Sequence, residues 1–180
     1  MKTLPNHVIA IDPGTAQSGV CIVRTEDYRP MWCSKVKNES VYSEILFHLD
    51  EIGALAGAMN GNVQIVIERM QGNSMPVSSD VFLTCEWIGR FDILFRRRFD
   101  GPTAYVYRRD EYKELCANLY SHNDKGVRQS LVDRFAYGEP NYGKGTKKAP
   151  GWFYGFAADT WSAYAIAVTF IDILTEAVNG

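Results

Sequence analysis

Sulfur and imidazole chemistry have little to work with in this chain. Its four cysteines (Cys21, Cys33, Cys85, Cys116) and three histidines (His7, His48, His122) form no CxxC pair and no mixed spacing of the kind that holds zinc. The cysteines are expected to be reduced and structural. There is no long hydrophobic run either. The most apolar stretch, 161–174, is interrupted by Ser162, Thr169 and Asp172, and reads as too short and too polar to span a bilayer. The first dozen residues carry one lysine, no extended apolar core and no small-residue cleavage site, so no secretion signal is expected, and the cytoplasm is the expected location. Internal repeats, low-complexity tails and interior linkers are also missing, which leaves residues 1–180 as a single expected domain.

Neither sign of charge dominates: 19 Lys and Arg stand against 21 Asp and Glu, a net charge of −2. The distribution says more than the sum. Between Arg90 and Lys148 there are 13 basic and 8 acidic residues, a local balance of +5, so the rest of the chain carries −7. A basic segment in an acidic protein is either a solvated surface or a footprint for phosphate backbones.

Patterning predicts a mixed α/β chain. Short β-branched runs at 7–11 and 19–23 read as a hairpin, with a third strand near 32–36. Helical spacing of Ile45, Leu46, Leu49, Ile52 and Leu55 predicts a helix over 41–59. A strand at 63–67 delivers Glu68 at its end. The segment 71–76 reads as a mobile loop, 81–98 as a helix and 103–107 as a strand. Helices are expected at 110–119 and 125–135, with turn and cap residues at 121–124 between them. A flexible basic loop is expected over 137–151, and a final helix over 156–178.

Three carboxylates stand out. Asp12 and Glu68 each close an apolar strand, and Asp159 opens the last helix after the small residues Ala157 and Ala158. Three acids from separate elements at one sheet rim repel one another unless cations neutralise them. Hard oxygen ligands suit Mg²⁺ or Mn²⁺, and two such ions about 4 Å apart activate water and stabilise a leaving oxygen in phosphodiester hydrolysis. Each acid also has a plain alternative. Asp12 before Pro-Gly suits a turn, Glu68 a surface charge, and Asp159 the dipole of a helix N-terminus.

The segments IDPGTAQSGVCIV, VQIVIERM and AADTWSAYAIAV together resemble the RuvC family of Holliday-junction resolvases, especially its phage members, over about residues 7–169. The resemblance implies a ribonuclease-H-like fold, with an antiparallel β1-β2-β3 unit plus parallel strands flanked by helices. It also implies a homodimer, two Mg²⁺ or Mn²⁺ ions, and endonucleolytic cleavage of Holliday junctions and other branched DNA. Asp12, Glu68 and Asp159 take the metal-ligand and catalytic positions. Lys113 and Lys125 fall where the family has lysines near the scissile phosphate. The family's fourth acid is replaced by Ser162, on the same helix face as Asp159, which implies a three-carboxylate metal site with weaker affinity. The loop after Glu68 lacks an aromatic, and Met70 is its candidate apolar wedge.

Arg108 and Arg109 are candidates for DNA-backbone contacts near the site, and Lys144, Lys147 and Lys148 for contacts along a DNA arm. Trp152, Phe153, Tyr154 and Phe156 read as packing beneath the last helix. The 81–98 helix carries more apolar surface than one sheet face needs, as a dimer interface would. Two other classes stay open. Asp12-Pro13-Gly14-Thr15 also resembles the first phosphate loop of actin-like ATPases, although the chain is short for their two lobes. A junction-binding protein without cleavage is the other.

Overall fold

A computed structural model describes residues 4–58, 60–71, 78–99, 101–117 and 119–180. Five strands form one mixed sheet in the order β3-β2-β1-β4-β5. They are β1 (His7–Asp12), β2 (Gln17–Arg24), β3 (Pro30–Lys37), β4 (Val63–Glu68) and β5 (Ala104–Val106). Strands β1-β2 and β2-β3 pair antiparallel, whereas β1-β4 and β4-β5 pair parallel. This is the ribonuclease-H-like sheet expected from the sequence.

Strand alternation decides which residues serve which layer. Ile9, Ile11, Val20, Ile22, Ile65 and Ile67 face a layer made by α1 (Val41–Glu51), α2 (Leu55–Ala58) and α3 (Ser79–Arg98). Val8, Ala10, Cys21, Val23, Val66 and Val106 face the other layer. There α6 (Ala158–Asn179) crosses the sheet, and α5 (Asp124–Phe135) packs beside it. Residues Ala163–Val168 of α6 are wholly buried, as befits a helix covered on more than one side. By length and composition α6 is apolar enough to cross a membrane, but here its apolar residues build the core of this layer. Phe153 and Phe156 are buried against Trp161 and Tyr164 and Trp152 stacks on Phe135, so these three aromatics pack as expected, whereas Tyr154 is exposed.

Several elements differ from the sequence reading. The single helix expected over 41–59 is two, because the chain turns through Gly53 at φ +69° after α1. The helix expected over 110–119 is a short α4 (Arg108–Glu111) followed by one π-helical turn, Tyr112–Cys116. The basic segment near 137–151, expected to be flexible, is tied down. Backbone hydrogen bonds join Gly151 to Lys144 and Phe153 to Gly143, and Gly143 (φ +69°) lies so close to Ala136 that a side chain would collide with it. Most of the loop expected at 71–76 lies outside the described residues. Cys21 and Cys33, expected to be reduced, are disulfide-bonded. They are directly opposed partners of β2 and β3, a relation set by strand register and invisible in sequence spacing.

Candidate active site

The site begins from the same alternation. On β1, Val8 and Ala10 face α6, so Asp12 does too; on β4, Val66 does, so Glu68 follows. One transverse row at the sheet rim therefore contains Lys35, Gly19, Asp12, Glu68 and Val106. The parallel register of β1 and β4 runs to Ile11 beside Ile67, so Asp12 and Glu68 follow next to each other, close enough for each carboxyl group to perturb the other. Asp159 arrives from above. A Cβ on Gly19 would meet the Asp159 carbonyl oxygen at 2.2 Å, so only glycine lets the start of α6 sit this close to β2. The start itself is fixed by Thr160, whose hydroxyl accepts from the Ala157 N–H (2.8 Å) and donates to the Ala157 carbonyl (2.7 Å).

Two basic residues enter this acidic rim. Lys35 Nζ lies 2.5 Å from Asp159 Oδ2. Arg108 faces Glu68 as a fork, with Nε 3.1 Å from Oε1 and Nη2 3.4 Å from Oε2. Its Nη1 donates at 3.0 Å to Oε2 of Glu111. Glu111 is fully buried, and its other oxygen has no partner among the described residues. The sequence reading missed Glu111 and Lys35. Glu111 precedes the buried Leu115 by four residues, which was the available signal of an inward-facing acid.

The electrostatics follow from burial. Burial first, then the neighbouring Glu68 carboxylate, pushes Asp12 up to about 8. Burial raises Glu68 as well; Arg108 pulls it back, and Glu111 adds repulsion. Glu111 is pushed up to about 8 by burial and by Asp12, against the pull of Arg108. Burial opposes the charge on Arg108, yet Glu111, Glu68 and Asp12 together raise its pKa above the ordinary value.

The donor chemistry at the rim fits a hard divalent cation. Asp12 and Glu68 offer adjacent carboxyl oxygens, and the proton that Asp12 retains near neutrality is one that a cation would displace. As placed, however, Glu68 and Asp159 are turned to Arg108 and Lys35. Among the described residues no group of three or more His, Cys, Asp or Glu side chains is gathered closely enough to hold an ion.

The other candidates divide into two flanks. On one side of Arg108, Glu68, Met70, Arg109 and Tyr112 line an open cavity; Met70 is exposed, and Arg109 lies over the Tyr107 ring. On the other side, Lys125, Arg128, Trp161 and Ser162 line a second. Ser162 thus shares its cavity with basic side chains as well as following Asp159 by one helical turn. Lys113 is 83 % exposed and pairs with Glu114 at 3.1 Å; none of the three carboxylates is among its partners. Lys144, Lys147 and Lys148 lie on the tied-down segment, the first half-buried and the last two exposed.

No protein-family model matches the chain, and no curated protein sequence matches it significantly. Solved structures do. Thermus thermophilus RuvC in complex with a Holliday-junction substrate superposes with a TM-score of 0.63 at 13 % identity, covering 94 % of this chain and 95 % of that one. A second Thermus thermophilus RuvC structure gives 0.63 at 15 % identity, over 94 % and 96 %. At such identities the likeness is one of backbone path, and it extends over nearly the whole of both chains: the protein has the ribonuclease-H-like fold of RuvC.

Proposed function

We propose that this chain is a metal-dependent endonuclease that nicks branched DNA, Holliday junctions among its substrates. The observation that carries the reading is the adjacency of Asp12 and Glu68 on parallel strands, with Asp159 delivered above them by α6, on a fold shared with RuvC. Asp12, Glu68 and Asp159 are the assigned acids, with Ser162 beside them. Two bound Mg²⁺ or Mn²⁺ ions would supply water activation and leaving-oxygen stabilisation. The chain's own part is to hold the acids at the rim, to release Glu68 from Arg108 and Asp159 from Lys35, and to grip the DNA with basic side chains. Lys125, Arg109, Lys144, Lys147 and Lys148 are assigned to phosphate contacts, with Lys113 further out. Met70 is the candidate wedge.

The substrate takes the form of a test. Labelled four-way, three-way, flap and linear duplex DNA are incubated with Mg²⁺, Mn²⁺ or EDTA. Metal-dependent nicking of the branched forms is expected, with linear duplex cut far more slowly; equal cutting of linear duplex removes the branch-selective part. A second reading, junction binding without cleavage, is favoured by one observation: Glu68 and Asp159 are each already neutralised by a basic side chain. It predicts tight junction binding and no nicking at any Mg²⁺ or Mn²⁺ concentration.

A further inference from the structure

The cavity between the first turns of α5 and α6 has a volume of about 200 Å³ and is lined by Arg108, Asp124, Lys125, Arg128, Trp161 and Ser162. Its most telling wall is Arg128. The guanidinium carbon lies 4.0 Å from the centre of the Tyr142 ring and 4.9 Å from that of Trp161. Tyr142 reaches this place from a tight turn in which Asn141 and Tyr142 both adopt left-handed backbone, at φ +52° and +57°. Non-glycine residues rarely accept that conformation, so the turn is held by its surroundings.

Arg128 forms no ion pair among the described residues, and its buried Nε has no hydrogen-bond partner there. The one carboxylate lining the cavity, Asp124, is 82 % exposed and lies 3.8 Å from Arg108, so it is turned to that cation and to solvent. Arg128 as a whole is half-buried, and a buried donor such as its Nε ordinarily has a partner. Here a planar cation is clamped by two rings, unneutralised, beside a second cation (Lys125) and a hydroxyl (Ser162). Planar forks of this kind suit the two free oxygens of a phosphodiester.

We infer that this cavity binds a backbone phosphate of the DNA, with Arg128 as its principal contact and Lys125 and Ser162 completing the grip. The inference rests on the DNA-cutting reading above and gives the bound strand a fixed point one helical turn from Asp159. Ser162 then serves the phosphate as well as the acids.

The test is fluorescence anisotropy of a four-way junction in EDTA across a salt series, on the full chain. Arg128→Gln is expected to weaken binding about tenfold and to reduce the slope of log affinity against log salt by about one. Arg128→Lys should keep the slope and regain only part of the affinity. Because Arg128 also packs on two rings, Ala158→Glu is the second variant. Ala158 lines the same cavity and is exposed, and an acid in the first turn of a helix favours folding. It should weaken binding to a similar extent while the melting temperature holds. Junction binding and nicking that are unchanged in both folded variants overturn this inference alone. Saturable binding of free inorganic phosphate with DNA affinity indifferent to Arg128→Gln also overturns it. Absence of any DNA binding by the unsubstituted chain overturns both this inference and the function on which it rests.

Discussion

Asp12 and Glu111 have ordinary values of 3.8 and 4.5, and both are pushed up to about 8 in the fold. Between those values the folded chain holds more protons than the unfolded chain, so stability falls as pH rises from roughly 4 to 8 when no divalent cation is bound. Glu68, raised in the same sense, adds to the fall. In EDTA the midpoint of urea unfolding is therefore expected to be higher at pH 5 than at pH 8; the opposite order contradicts the arrangement of these acids. Arg108→Gln should steepen the dependence, because Glu68 and Glu111 then lose their shared cation. Breaking a buried pair costs about 3–5 kcal/mol when the remaining charge persists, and less at low pH, where protonation relieves it. Asp12 and Glu68 were legible as carboxylates at one sheet rim because each ends an apolar strand. Glu111 was not, since it sits in the charged run Arg108–Glu111 that reads as a solvated face. The pairing of Arg108 with acids, where a DNA-backbone contact was expected, depends on the same buried residue.

Elements were legible to the extent that one periodicity governed them. The strands β1, β2 and β4 and the helices α3, α5 and α6 follow two-residue or helical repeats, and the structure places them close to the expected bounds. The exceptions are local backbone events: the Gly53 turn, the π-helical turn at Tyr112–Cys116 and the tied-down basic segment. No side-chain pattern encodes these. Cap chemistry was readable; the Asn123 side chain accepts from the Gly126 N–H at 3.0 Å and starts α5. The contact between β2 and α6 was not, because it depends on what lies above Gly19. Gly19→Ala is expected to push the start of α6 off the sheet and to cost roughly 1–3 kcal/mol. Thermal melting should show a loss of several degrees. Nicking should fall as well, since Asp159 moves with the helix; an unshifted melting temperature contradicts this close approach.

At the scale of the whole molecule, the fold was readable from three short segments together, and the backbone match to RuvC bears it out. The assembly is a separate proposal. On α3, Thr84, Ile88, Phe91 and Phe95 face the core, while Phe82 (63 % exposed), Leu83, Ile93 and Leu94 stand outside it. A homodimer joined through this face would be about twice the 20.3 kDa chain mass by light scattering, and Ile93→Glu should return it to monomer without loss of helix content. A monomer at all concentrations contradicts this assignment and leaves the acids untouched.

The central claim is that Asp12 and Glu68 form the core of a metal-dependent DNA-cutting site. Its most direct test is single-turnover nicking of a labelled four-way junction in Mg²⁺ or Mn²⁺, with junction binding measured in parallel for Asp12→Asn and Glu68→Gln. Both variants should still bind the junction, because neither removes a basic side chain assigned to phosphate contacts, while nicking falls by roughly a hundredfold or more. Nicking at an unchanged rate in either folded variant would contradict the site.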